Sequence, residues 1–186
     1  ITGTNVEVMI NDEYNYMVSK LEKHSHDNNH KGELKLDCKE SDSHDHSRNL
    51  NEIEALIDCS ELNNYVKNLS KDIFREVAIA EAKVHNKDIN DVHFHEVGAV
   101  DSIIDIVGAA ICIDLLGIKK IYASTVHDGK GFIECQHGKI PVPVPAVLEM
   151  LKGSNIPYIC DDINTELVTP TGMAILKTLC SYYGTM

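Results

Sequence analysis

The chain has 186 residues, with 17 basic side chains against 29 acidic ones and a formal net charge of −12 when histidine is neutral. That length suits one good-sized core, or one domain with a mobile insertion. A surface of that sign repels phosphate backbones, which argues against nucleic-acid binding, and the longest apolar run, residues 103 to 118, is too short and too charged to span a bilayer.

The first 21 residues alternate as β-structure, with Val6 and Val8 on one face and a turn at Asn11-Asp12. A chain that opens on a strand at Ile1, without an initiator methionine, reads as an N-terminally truncated fragment. From residue 23 to 48 the composition turns polar and charged, too poor in branched apolar residues to offset its chain entropy, so a disordered loop is expected there. That loop holds His24, His26, His30, His44 and His46. Asn49 and Glu52 form a capping box for a helix through Ile57. Ser60 is expected to cap a second helix, in which Leu62, Val66, Leu69, Ile73, Val77, Ala80 and Val84 make one apolar stripe ending near His85.

A short strand over residues 92 to 97 follows, then a helix from about Val100 to Leu116, stopped by Gly117 and apolar nearly all round, as in a central helix. Residues 120 to 126 and 131 to 134 read as strands flanking an HDGKG loop. Residues 136 to 139 turn into the proline-spaced IPVPVPA, which leads to a helix with Pro145 in its first turn. TELV reads as a last strand, and TPTGMAILKTL as a helix capped at Thr169. The order implies an α/β or α+β fold, with a mixed sheet, packed helices and a disordered histidine-rich insertion in a single domain over 1–186. The six cysteines show no CxxC pair and read as reduced thiols, several of them buried as small hydrophobes, in a cytoplasmic protein.

The densest chemistry lies in HFHEVGAVDSIIDIVG, residues 93 to 108. His93 and His95 at i and i+2 share one face of a strand, with Phe94 on the other. Asp101 and Asp105 share one face of the following helix near its positive end. Two imidazoles with two or three carboxylates, Glu96 included, suit a divalent transition ion. The plainer alternative has half-exposed strand histidines, Asp101 as a cap and Asp105 solvated. Against it stands Asp105 itself, which falls within an apolar run where a buried carboxylate needs a cationic or metal partner. The loop histidines suit capture of nickel, zinc or copper, or else belong to a solvated linker.

Two glycine loops have the composition to hold a phosphate: Asp128-Gly129-Lys130-Gly131, and Thr169-Pro170-Thr171-Gly172 at a helix start, with His137 in the turn between them. In isolation, turn and capping roles explain both loops. Cys135, two residues before His137, is a weak nucleophile candidate whose ordinary role is a strand-end thiol.

Taken in order, His93 to Gly108, Gly129-Lys130-Gly131-Phe132, His137-Gly138, Pro141 to Ala146 and Glu166 to Gly172 closely resemble the LarC family, the nickel-insertion proteins of nickel-pincer cofactor biosynthesis. The resemblance covers nearly all of residues 1 to 186. It implies a lyase-type nickel chelatase that binds nickel(II) and inserts it into a pyridinium bisthiocarboxylic acid mononucleotide. The reaction makes one carbon–nickel and two sulfur–nickel bonds, depends on CTP, and serves lactate racemase-type apo-enzymes. It also implies a glycine-rich segment before Ile1 and a C-terminal domain after Met186 carrying the CTP and Mg2+/Mn2+ site. The expected roles are His24, His26, His30, His44 and His46 to collect nickel, and His93, His95, Asp101 and Asp105 to position it. His95, Glu96 or Asp101 would act as base, and Gly129, Lys130, Gly131, His137, Thr169, Thr171 and Gly172 would hold the substrate phosphate. A homo-oligomer is expected. The competing readings are a nickel chaperone or store in which the loop does the binding, and a hydrolase using zinc-activated water.

Overall fold

The computed structural model describes residues 48–94, 100–135 and 138–184. The expected N-terminal strands and almost all of the histidine-rich loop lie outside the described residues.

A two-residue strand β1 (Arg48–Asn49) leads into α1 (Leu50–Cys59). Asn49 is its cap as expected: Asn49 Oδ1 accepts the Glu52 N–H at 3.0 Å while Glu52 Oε2 accepts the Asn49 N–H at 2.8 Å. Leu50, Ile53 and Ile57 form the buried face. The next helix, α2 (Asn64–His85), starts three residues later than the sequence suggested, because Asn63 supplies the capping oxygen to the Val66 N–H. Ser60 serves the preceding helix instead, its hydroxyl donating to the Ile57 carbonyl at 2.6 Å. A short tether therefore separates the two helices. α2 ends at Asn86 in the left-handed conformation, φ 51°, whose N–H returns to the last turn.

α2 is the central helix. Val66, Ile73, Phe74, Val77, Ala78 and Ala80 are buried along it, and α1, α3 (Val100–Leu115), α4 (Pro145–Leu151) and α5 (Pro170–Leu179) all pack on it. The expectation of a central helix at 100 to 116 is corrected. In α3 only Ile103, Ile106 and Ala110 are buried, while Ile104 is 41% exposed and Leu115 and Leu116, at the helix end, 79% and 73%. A helix that is apolar on all sides still turns only one stripe toward the helices it packs on, here α2 and α5. The thiols are also less buried than expected: Cys59, Cys112 and Cys160 are exposed, and Cys135 and Cys180 half-buried.

After α2 a single 3-10 turn (Ile89–Asp91) leads to β2 (His93–Phe94), which pairs antiparallel with β1, placing His93 opposite Asn49. The expected strand over 120 to 126 breaks in two. β3 (Ile121–Ala123) pairs parallel with β8 (Cys180–Tyr183), while β4 (Val126–Asp128) pairs parallel with β7 (Tyr158–Cys160). β5 (Gly131–Cys135) forms an antiparallel ladder with β6 (Gly138–Val142), so part of the expected turn and the first of the prolines belong to a strand. The mixed class is borne out: among the described residues four two-stranded ladders surround a helical core.

TELV is not a strand. The N–H groups of Leu167 and Val168 are taken by the Asp128 carboxylate, at 2.9 and 3.2 Å, and not by a neighbouring strand. No helix among the described residues is long and apolar enough to cross a membrane.

Candidate functional site

A cavity of about 620 Å³ opens where the C-terminal end of α2, β2, the first two turns of α3 and the start of α5 converge. β2 contributes His93, exposed, with Phe94 turned into the core at 2% exposure, the alternation expected of a strand. α3 contributes Asp101 and Asp105, one turn apart on one face, with Ser102 beside them. Asp101 Oδ1 accepts the Ser102 N–H at 2.8 Å. Asp105 is exposed and borders the cavity, which corrects the expectation of a buried carboxylate: Ile103 and Ile106 point inward and Asp105 does not.

α5 closes another side with Thr169, Thr171 and Gly172. Thr169 is the cap: its Oγ1 accepts the Gly172 N–H at 3.1 Å, and its carbonyl accepts the Met173 N–H at 2.9 Å. Pro170 has no N–H, so the Thr171 amide and hydroxyl are what this turn can offer an anion. Apolar walls come from Ile133, Ile140, Val144 and Ile175.

Several lining groups were not singled out from sequence. Glu81 and His85 project from the last turns of α2, 3.3 Å apart between Glu81 Oε2 and His85 Nε2. Their i, i+4 spacing was the available signal, masked by the apolar stripe on the same helix. Glu166, within the segment expected as a strand and quoted in the last family motif, also lines the cavity, as does Cys135 at the end of β5, which the sequence offered as a weak nucleophile or strand-end thiol.

The described lining thus carries four carboxylates (Glu81, Asp101, Asp105, Glu166) and two imidazoles (His85, His93), with neither lysine nor arginine. Low-dielectric walls around one sign of charge focus the field, and here the field favours a cation. Among the described residues no three His, Cys, Asp or Glu side chains are already gathered as a metal-binding group.

The HDGKG loop lies elsewhere. Gly129, Lys130 and Gly131 do not line the cavity; they pack against residues 163 to 165. A Cβ on Gly129 would fall 1.9 Å from the Thr165 carbonyl oxygen, and Gly131 has φ +98° with Asn164 in the space a Cβ would take. Lys130 pairs with Asp162 at 2.5 Å on the surface. Close backbone approach explains both glycines. His95, Glu96 and His137, like His24, His26, His30, His44 and His46, lie outside the described residues.

Burial perturbs two tyrosines away from the cavity. Tyr158 is raised well above the ordinary tyrosine range, first by burial and then by its hydrogen bond to the Asp128 carboxylate. Tyr183 is pushed up to about 12, first by burial and then by neighbouring Cys180.

The sequence matches the family described as "Nickel insertion protein" over residues 1–186. A protein of Acetivibrio thermocellus is 65% identical over 155 residues, covering 82% of this chain and 38% of its own length. A Clostridium acetobutylicum protein is 51% identical over 95% of this chain and 42% of its own length, and one from Lactiplantibacillus plantarum 54% over 72% and 32%. All three carry the name pyridinium-3,5-bisthiocarboxylic acid mononucleotide nickel insertion protein. The chain spans about two fifths or less of the length of these curated relatives. No solved structure matches it.

Proposed function

The chain belongs to the nickel insertion protein family, and on that premise we propose that its cavity is where nickel(II) is brought to a pyridinium-3,5-bisthiocarboxylic acid mononucleotide. The observation that carries this reading is the charge of the lining: among the described residues, four carboxylates and two imidazoles without a lysine or arginine. Such a lining attracts the metal dication, and the bound dication in turn draws the thiocarboxylates of the substrate, which is a net anion.

His93, Asp101 and Asp105, with His95 two residues along from His93, are assigned to nickel. Imidazole and carboxylate are donors that nickel(II) accepts readily. The substrate phosphate is assigned to the first turn of α5, where the Thr171 amide and the hydroxyls of Thr169 and Thr171 face it with the positive end of the helix dipole. The Gly129-Lys130-Gly131 loop is assigned to folding, given its packing against residues 163 to 165.

The two thiocarboxylates flank one ring carbon, so a nickel held by both sulfurs lies against that C–H bond. A carbon–nickel bond then requires a base beside the metal. His95, Glu96 or Asp101 would serve as that base, whichever of them the metal leaves unligated. Apolar walls from Ile133, Ile140 and Val144 suit a flat ring and keep bulk water from the thiocarboxylates.

Nickel capture falls to His24, His26, His30, His44 and His46, delivery to the cavity. CTP with Mg2+ or Mn2+ finds no lysine or arginine among the described lining residues to hold a triphosphate. Its binding is assigned to a part of the protein outside these residues, and no step here runs through it. Cytoplasmic synthesis and transfer to a lactate racemase-type apo-enzyme complete the proposal.

Equilibrium dialysis with nickel(II) tests the site. A variant lacking residues 23–48 is expected to keep about one tightly bound ion by the two-imidazole, two-carboxylate set assigned here, and a His93→Ala/Asp105→Ala variant to lose it. If all tight binding leaves with the loop, the chain is a nickel chaperone or store and the cavity is scaffold.

A further inference from the structure

Ile133 of β5 and Ile140 of β6 both line the cavity, and they are direct cross-strand partners in the antiparallel ladder. Their side chains therefore stand side by side on one face of the ribbon, half-buried and packed on the hydrophobic core. The ribbon's charged side chains alternate to the other face. Glu134 and Lys139 are exposed there, and Lys139 Nζ sits 4.9 Å from the centre of the Phe132 ring. A cation that could meet an anionic oxygen in the cavity is thereby held on the outside. Val144 and Ile175 extend the apolar lining, and Ile175 lies one turn after Thr171 on α5, so the helix face assigned to the phosphate continues into the apolar wall.

Such a wall treats oxygen and sulfur differently. A carboxylate oxygen brought against it gives up hydrogen bonds to water and finds no donor on either isoleucine side chain, and an anionic oxygen without a partner is costly. The sulfur of a thiocarboxylate is larger, more polarisable and weakly hydrated. The same wall costs it little and adds dispersion contact.

We infer that the Ile133–Ile140 pair is a specificity determinant that selects thiocarboxylates over carboxylates on the pyridinium ring, before nickel adds its own preference for sulfur; the inference rests on the proposed insertion site. The sulfur compound and its oxygen counterpart carry the same charge at neutral pH, so the carboxylates of the lining act on them alike. Discrimination falls to the apolar pair.

The test uses the full-length protein without nickel or CTP, and calorimetric titration with the pyridinium bisthiocarboxylate mononucleotide and with its biscarboxylate counterpart. The wild type is expected to bind the sulfur compound about tenfold more tightly or better, the effect of one anionic oxygen left without a partner. Ile133→Thr/Ile140→Thr keeps β-branched side chains in the ladder while placing hydroxyl donors on the wall. It is expected to cut that ratio by about tenfold, chiefly by tightening the biscarboxylate. Ile140→Thr alone should move the ratio in the same direction by less, and Ile133→Val/Ile140→Val, which keeps the wall apolar, should leave it unchanged. Each ratio compares two ligands on one preparation, so a variant that folds only in part still reports it. Equal wild-type affinities for the two compounds would overturn the inference, as would a ratio untouched by the threonines or lowered as much by the valines. Failure of the site itself looks different: Thr171→Val would then leave both affinities at the wild-type value, whereas at an intact site it weakens both alike.

Discussion

The carboxylate of Asp128 accepts the N–H of Val168, forty residues further along the chain, at 3.2 Å. Asp128 is fully buried at the end of β4, and it also accepts the N–H groups of Leu167 and Gly129 and the hydroxyl of Tyr158. The segment it holds carries Glu166 and Thr169 to the cavity wall. Asp128→Ala would leave several buried donors without an acceptor and is expected to cost about 3 kcal/mol, with nickel affinity falling as Glu166 and Thr169 drift. Asp128→Asn retains one acceptor oxygen and is expected to cost clearly less. Denaturant unfolding beside nickel titration measures both, and an Asp128→Ala variant of unchanged stability would remove this strut from the account.

The glycine loop gives the opposite pattern. Gly129→Ala drives a Cβ into the Thr165 carbonyl, and is expected to lose about 2–3 kcal/mol through forced backbone movement. Lys130 and Asp162 are exposed partners, 57% and 91%, so Lys130→Ala is expected to change stability by less than about 0.5 kcal/mol. Substrate affinity should be unchanged in Lys130→Ala. A marked loss there, read by calorimetric titration, would return the lysine to the phosphate site.

Asn63 joins the start of α2 to the end of α3: its Oδ1 caps the Val66 N–H, and its Nδ2 donates to Asp114 Oδ2 at 2.8 Å. Asn63→Ala is expected to cost about 1 kcal/mol, the usual value of a lost cap. Asn63→Asp keeps the capping oxygen but sets a carboxylate against Asp114, so its stability should rise with added salt as that repulsion is screened. Thermal melts at two salt concentrations separate the two effects.

Tyr183 donates to the Leu176 carbonyl at 2.8 Å and ionises near 12, against about 10 for an ordinary tyrosine. A folded-state value above the unfolded one means that the unfolded chain releases its proton first as pH rises. The contribution to stability is therefore complete below pH 10 and drains away between 10 and about 12. Tyr158 shifts in the same direction. Tyr183→Phe should be less stable at neutral pH, through the lost hydrogen bond, yet lose less between pH 10 and 12 than the wild type. Urea midpoints across that range provide the check, and parallel curves would contradict it.

The capping box at Asn49 and Glu52, the stripe through Val66, Ile73 and Val77, the Thr169 cap and the Gly117 stop were all readable in advance. Each depends on contacts within about four residues, a range over which side-chain spacing reports geometry directly. The Ser60 assignment failed at that same range, because Asn63 was an equally good cap closer to the helix start. The ladders were read less well. Residues 121 to 128 divide between β8 and β7, partners more than thirty residues away that short alternating runs cannot identify.

The candidate site divides the same way. His93, Asp101 and Asp105 stand within one motif, and their convergence on the cavity follows from a strand and a helix that the motif itself encodes. Thr169, Thr171 and Gly172 were legible as a helix start, but only the packing of α5 on α2 brings that start to the same space. Glu81 and His85 carried only an i, i+4 spacing and Glu166 only its place in the last motif; they became site residues because α2 runs through the centre of the molecule and because Asp128 holds residues 167 and 168 in place. Sequence by itself determined where helices begin, which way their apolar faces turn and which family motif is present, since these follow from neighbours along the chain. Which side chains share one cavity, and the negative charge that results, was decided by tertiary packing alone, because it depends on segments brought together from opposite ends of the fold.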